Sequence, residues 1–251
     1  MGKILVFANQ KGGVGKTTTA ATLGAYLAQH QKKVLLVDFD PQGNLTSSVG
    51  ADKTLPGIYE VITGVKSLTD CVQTTAEPNL FVLGSNINLS GAGVELIGEK
   101  DRESFLKNAL APVKEAYDYI FIDSPPSLDL ITINGLVAAD GVFIPLQCEY
   151  FAMEGLSQLV KTIQAVQKGL NRNLEIAGII LTMYDSRTNL AQDVAREAVK
   201  YFKDKVFRTI IPRNVHLGEA PSHGLTINRY RPGSPGAKAY EKLAEEVLQR
   251  V

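Results

Sequence analysis

Lys11-Gly12-Gly13-Val14-Gly15-Lys16-Thr17-Thr18 follows the apolar run Ile4-Leu5-Val6-Phe7-Ala8 and precedes a stretch rich in Ala and Leu. Strand, glycine loop and helix in that order form the setting in which such a loop holds phosphate. The glycines let backbone N–H groups approach an anion closely, and the start of the helix adds the positive end of its dipole. Lys16 supplies a charge for the β- and γ-phosphates of a nucleotide, and the Thr17 hydroxyl a ligand for Mg²⁺. The loop departs from the common G-x-x-x-x-G-K-[ST] pattern, because Gln10 stands where a glycine is usual and a second lysine, Lys11, opens the loop.

Two further strand ends carry carboxylates. The run Val37-Asp38-Phe39-Asp40-Pro41-Gln42-Gly43-Asn44 places Asp38 and Asp40 on one face of a strand end, where open α/β sheets bind ligands. The run Ile120-Phe121-Ile122-Asp123-Ser124-Pro125-Pro126 delivers one carboxylate from a buried strand, and the two prolines stiffen the backbone beyond it. Mg²⁺ keeps several waters and takes one or two carboxylates, so the pair Asp38 and Asp40 suggests Mg²⁺ and water positioning, and Asp123 is a further candidate for the metal's shell.

Other apolar, β-branched runs are Lys3–Ala8, Lys33–Phe39, Asn79–Leu83, Gly141–Gln147, Ile176–Thr182 and Phe207–Ile211. Several are continuously apolar, as in strands buried on both faces. Helical patterns occupy Thr17–His30, Met153–Leu170, Ala191–Phe202 and Ala237–Leu248; the second shows Leu156, Leu159, Val160, Ile163 and Val166 at helical spacing. Strands alternating with helices predict an α/β fold, a mostly parallel central sheet with helices on both faces. The turn-rich region Gly43–Ser67 reads as irregular, and Gly84–Gly98 as a polar surface loop.

At 251 residues the chain fits a single domain over 1–251, which buries about 70–75% of its unfolded surface without disulfide staples. The two cysteines, Cys71 and Cys148, lack metal-type spacing and suit a reducing cytoplasm. The N-terminal run reads as a strand rather than a signal peptide, and no apolar run approaches the roughly 20 residues that span a bilayer. Lys and Arg number 26, as do Asp and Glu, so no global field draws the chain to nucleic acid or to an anionic membrane. From Arg187 to Arg250, however, 12 Lys/Arg stand against 7 Asp/Glu, a local basic excess.

Lys-Gly-Gly-x-Gly-Lys-Thr, Asp-x-Asp-Pro-Gln-Gly-Asn and Asp-x-Pro-Pro, in this order, resemble the P-loop and two switch segments of the deviant Walker A (ParA/MinD) ATPases. Likeness to the chromosomal, Soj-type members continues through Gln147-Cys148-Glu149-Tyr150, Asp185-Ser186-Arg187-Thr188-Asn189 and Ile211-Pro212-Arg213-Asn214-Val215. The resemblance implies a cytoplasmic, nucleoid-associated ATPase with ATP and Mg²⁺ as cofactors. By it, Gly12, Gly13, Val14, Gly15, Lys16, Thr17 and Thr18 bind the nucleotide, Pro212 and Asn214 hold adenine, and Asp40 positions the attacking water. Lys11 reaches the ATP of a partner in an ATP-dependent homodimer. The resemblance also implies that Arg187 grips DNA without reading sequence; His216 stands where the family has a second arginine, with Arg213, Arg229 and Arg231 close by in sequence. The partner that the resemblance implies is a ParB/Spo0J-like protein that stimulates hydrolysis and release.

Alternatives stay open at this level. They are a MinD-like membrane positioner, a cargo-positioning relative, an iron–sulfur reductase like the nitrogenase iron protein, and a nucleotide binder that does not hydrolyse. Glu241, Glu245 and Glu246 in the last helix oppose insertion into an anionic membrane. Neither Cys71 nor Cys148 lies in the glycine-rich setting of the reductase family.

Overall fold

The computed structural model describes residues 2–251, apart from the side chains of Val94 and Ile97. Seven strands form one sheet: β1 Lys3–Phe7, β2 Val34–Asp38, β3 Val72–Thr74, β4 Leu80–Leu83, β5 Tyr119–Asp123, β6 Gly141–Gln147 and β7 Glu175–Thr182. Their order is β3-β4-β2-β5-β1-β6-β7, and only β3 runs antiparallel to its neighbour. The expected α/β architecture is present. β2 and β5 are buried at every residue, which is why they read as unbroken apolar runs.

Side-chain alternation divides the core in two. Ile4, Val6, Leu35, Val37, Ile120 and Ile122 face one way. Helices α2 (Leu130–Ala138), α3 (Ala152–Gly169) and α4 (Asn189–Phe202) cover that side. Leu5, Phe7, Val34, Leu36 and Phe121 face the other way, under α1 (Lys16–Gln29) and α5 (Pro235–Arg250). Phe7, Phe121, Phe143 and Phe207 stack edge-on or tilted in this second core, with centroids 5.2–6.3 Å apart. α1 lies so close to the sheet that a Cβ on Gly24 would stand 2.9 Å from Leu36 Cδ2.

Register then positions the site. Phe7 and Asp38 both pair with Asp123, so β1, β2 and β5 end at one level. The loop after β1 and both buried carboxylates therefore share the carboxyl edge of the sheet, where the chain passes from β1 to β2 around β5.

Three expectations are corrected. Phe207–Ile211 is not a strand: Phe207 N–H to Ile179 O (2.9 Å), Ile211 N–H to Leu181 O (2.9 Å) and, just beyond β7, Tyr184 N–H to Ile211 O (3.1 Å) are too sparse for a ladder. Gly43–Ser67 is not irregular throughout. It holds short helices at Asn44–Ser48 and Ile58–Ile62, because Leu45, Thr46, Ser48, Ile58 and Ile62 are buried. In Gly84–Gly98, a helix over Leu89–Glu95 buries Leu89.

Candidate nucleotide and metal site

The glycine loop is pinned from both sides. The buried Asn9 donates from Nδ2 to Pro145 O (2.8 Å) and accepts the Lys11 N–H at Oδ1 (3.0 Å). Thr182 Oγ1 donates to Val14 O (2.8 Å). Val14 thus turns inward and is 1% exposed. Gly13 and Gly15 have φ of +73° and +89°, a backbone that L side chains rarely adopt. Gly15 caps α1, whose first-turn N–H groups lack intrahelical acceptors.

Lys16 folds back over this loop. Its Nζ donates to Asn9 O (3.0 Å) and Lys11 O (3.3 Å), and the residue is 7% exposed. Burial lowers its pKa, while the charges of Asp123 and Asp40 pull it back up. A cavity of about 630 Å³ opens in front, lined by Gly12, Gly13, Gly15, Thr17, Thr18 and Asp40 among others. Asp40 Oδ1 accepts the Gln42 N–H at 2.9 Å, which fixes the turn beyond β2.

Asp38 and Asp123 are buried at the strand ends and are not equivalent. Asp38 accepts from Thr46 at its N–H (2.7 Å) and Oγ1 (2.6 Å), and from Asp40 N–H (3.4 Å). Burial pushes its carboxyl up to about 6 despite the Thr46 bonds. Neither oxygen of Asp123 has a hydrogen-bond partner of ordinary geometry. Burial, then the neighbouring Asp38 charge, pushes it up to about 8; Thr17 and Lys16 act in the opposite sense. An unpartnered buried carboxylate near a threonine hydroxyl suits a hard divalent cation. Among the described residues, no cluster of three His, Cys, Asp or Glu forms an all-protein metal cage.

A second hollow of about 300 Å³ adjoins the first, sharing Gly15, Thr18, Met183, Leu217 and Gly218. Pro212 and Asn214 line it. Asn214 Oδ1 accepts the His216 N–H (3.0 Å) and so starts the short helix Val215–Glu219. Met183 holds φ +49° at the junction of the two spaces.

Lys11 does not line the phosphate cavity. Its Nζ lies 3.2 Å from Glu149 Oε2, with both side chains more than 40% exposed. Glu149 also meets Arg213 Nη2 (3.3 Å) and Gln147 Nε2 (2.5 Å). Arg187, His216 and Arg229 have local partners too. Arg187 grips Asp185 through Nε (2.9 Å) and Nη2 (2.7 Å), holding that carboxyl down to about 2. His216 Nδ1 lies 2.8 Å from Glu219. Arg229 Nε reaches the buried Glu77 (3.1 Å), which also accepts from Asn228 Nδ2 (2.8 Å). Arg231 is exposed. Asn9, Thr46 and Thr182, which hold the loop and Asp38, belong to no motif that the sequence shows; Asn9 and Thr182 stand only as polar residues ending apolar runs.

A family model described as an AAA domain matches residues 2–176. The chromosome-partitioning ATPase Soj of Treponema pallidum is 58% identical over 250 residues, covering 100% of this chain and 98% of its own. The sporulation initiation inhibitor Soj of Bacillus subtilis is 54% identical over 249 residues, with 98% of both chains covered.

The chain belongs to the Soj/ParA family of chromosome-partitioning ATPases.

Solved structures agree with this family assignment. A Mycobacterium smegmatis protein described as cobyrinic acid a,c-diamide synthase, solved with an ATP analogue and magnesium, superposes with a TM-score of 0.89 at 40% identity, over 99% of this chain and 95% of its own. The septum site-determining protein MinD of Pyrococcus horikoshii, solved with Mg-ADP, gives 0.80 at 29% identity, over 98% and 96% of the two chains. The Soj/ParA chain thus shares its architecture with two proteins solved with a nucleotide and magnesium.

Proposed function

We propose that this protein binds Mg-ATP, hydrolyses it, and uses the nucleotide state to govern assembly on DNA. One observation carries the reading: Lys16, Thr17 and Asp40 meet the glycine-loop backbone at a single cavity, with the unpartnered Asp123 buried at the adjoining strand end. The loop N–H groups and Lys16 bind the phosphates, and Pro212 and Asn214 hold the base. Thr17 and Asp123 hold Mg²⁺, with Asp38 behind them keeping the turn after β2 in place through Thr46. Bound Mg²⁺ neutralises phosphate charge. Asp40 orients the attacking water, and Lys16 stabilises charge on the transferred group.

In this reading two ATP-loaded chains form a sandwich homodimer in which each Lys11 crosses to the other's phosphates, the counterpart of an arginine finger. Dimerisation doubles a basic surface that includes Arg187, Arg213 and Arg231, so non-specific DNA binding becomes bivalent. A ParB/Spo0J-like partner stimulates hydrolysis, and loss of the γ-phosphate contacts releases the dimer from the nucleoid. The described residues offer little to a membrane. No helix is long and apolar enough to cross one. The apolar face of α5, with Tyr240, Leu243, Ala244 and Val247, is buried in the second core.

The test is sizing chromatography and phosphate release with Asp40→Ala. It should bind ATP, hydrolyse poorly and elute as a dimer only with ATP; a monomer at saturating ATP would refute the assembly step.

A further inference from the structure

Met183 stands at the neck between the two hollows, half-buried and in an unusual backbone conformation. Its φ is +49°, a region that L side chains enter at a cost. Of the six non-glycine residues with positive φ among those described, it alone lines either hollow. Strained residues persist where their surroundings fix them, and they gather at binding sites.

Both of its neighbours are fixed. Thr182 ends β7 and donates through Oγ1 to Val14 O (2.8 Å). Tyr184 donates its N–H to Ile211 O (3.1 Å) and accepts the Arg213 N–H (3.2 Å). Successive side chains of an extended strand point to opposite faces. Thr182 and Met183 break that rule: a Cβ added to Gly15 would stand 3.9 Å from Thr182 Cγ2 and 4.0 Å from Met183 Cε. The left-handed residue therefore brings a second consecutive side chain round to the glycine loop. Gly15 and Thr18 form one side of the neck, and Leu217 and Gly218 another. A molecule that occupies both hollows passes between these groups and Met183. Leu217 is a fixed wall, since it packs so closely on α5 that a Cβ on Gly236 would stand 2.9 Å from Leu217 Cγ. Beyond the neck, Ile211, Pro212 and Val215 give apolar surface suited to a flat ring.

We propose that Met183 is a specificity-determining residue: its thioether packs against the base of the bound nucleotide and favours the two-ring purines over the pyrimidines. The proposal rests on the nucleotide reading given above and goes beyond it in saying what selects the base. A thioether is unbranched and polarisable, and sulfur meets aromatic rings favourably. A purine offers it two rings to cover and a pyrimidine one, so the apolar area buried at the neck differs between them.

The experiment is calorimetric titration of the full chain, with Mg²⁺, by ADP, GDP, CDP, UDP and inorganic pyrophosphate, none of which carries a γ-phosphate to be hydrolysed. The parent chain should bind ADP and GDP about tenfold or more tighter than CDP and UDP. Met183→Gly keeps the left-handed backbone and removes the side chain. It should weaken ADP and GDP about tenfold, CDP and UDP about threefold or less, and pyrophosphate by no more than about twofold. Met183→Leu, of similar volume, should return ADP to within about threefold of the parent chain. Relief of strain offsets lost packing, so the melting temperature of Met183→Gly without nucleotide should stay within about 3 °C of the parent. An equal loss for all five ligands would overturn the proposal by making Met183 part of the loop's scaffold. An unchanged ratio of ADP to UDP affinity would overturn it by placing the base elsewhere. A larger fall in melting temperature would do so by giving the side chain to the core. A parent chain that binds pyrophosphate and all four nucleotides alike would sink this proposal alone, whereas one that binds none of the five would sink the nucleotide reading with it.

Discussion

Lys16 and Arg187 are both cations at the carboxyl edge of the sheet, and the fold treats them in opposite ways. Lys16 is 7% exposed, bracketed by two loop carbonyls and pulled by two carboxylates. Arg187 has an 87% exposed side chain and holds a neighbour two residues away. A buried charge acts at one place with little screening, so its removal cannot be compensated. An exposed charge exchanges partners freely and contributes in proportion to how many stand beside it. The nucleotide end of the molecule should therefore fail residue by residue, and the basic surface by degrees.

The sharpest break in that comparison is Asp40→Ala. Hydrolysis should fall roughly 10²–10⁴-fold while ATP affinity stays within a few-fold, measured by phosphate release and by calorimetry. Next, Lys16→Ala removes charge-assisted bonds to phosphate and should weaken ATP about 10–100-fold; unchanged affinity would put the phosphates elsewhere.

The buried carboxylates give a smaller, graded effect. Asp123 and Asp38 are raised to about 8 and about 6, so between about pH 4 and those values each of these two groups holds more proton in the folded chain than in the unfolded one. Stability without metal should therefore fall as pH rises, from Asp38 up to about 6 and from Asp123 up to about 8, by at most about 1.4 kcal/mol per pH unit for each group. Asp123→Asn should flatten the slope between pH 6 and 8, read by urea unfolding in EDTA. A slope as steep as that of the parent chain would remove Asp123 as its source.

The arginines separate the two regimes within one surface. Arg229→Ala leaves Glu77, which is 7% exposed, without its cation and should cost about 1–3 kcal/mol of stability. Arg187→Ala should leave stability unchanged and lower the salt slope of DNA binding by about one. The reverse pattern would exchange their roles.

Sequence and structure agree best where a strand delivers a residue. The loop after β1 and the ends of β2 and β5 were readable because a continuous apolar run ending in Asp or Gly specifies both burial and direction. α2 was missed because Leu130–Ala138 is apolar nearly all round and shows no helical period; Asp129 caps it, accepting from Ile131 and Thr132 N–H. β3 was missed because three residues carry no period. The partners of Arg229 and Arg213 cannot be read from the sequence. Glu77 lies 152 positions from Arg229 and Glu149 lies 64 from Arg213, distances that only the folded chain closes.

The two margins of the sheet bear on how copies of this chain could meet. An uncovered strand edge is a template for irreversible pairing between chains. Here one margin ends in a strand of three residues, Val72–Thr74. The other, β7, is overlaid by Phe207–Ile211, which takes the carbonyls of Ile179 and Leu181. That sparse overlay is too weakly bonded to extend the sheet but sufficient to close it. Backbone-to-backbone pairing of copies is thereby disfavoured at both ends, so the nucleotide-dependent dimer proposed above would be held by side chains and nucleotide, which can be released.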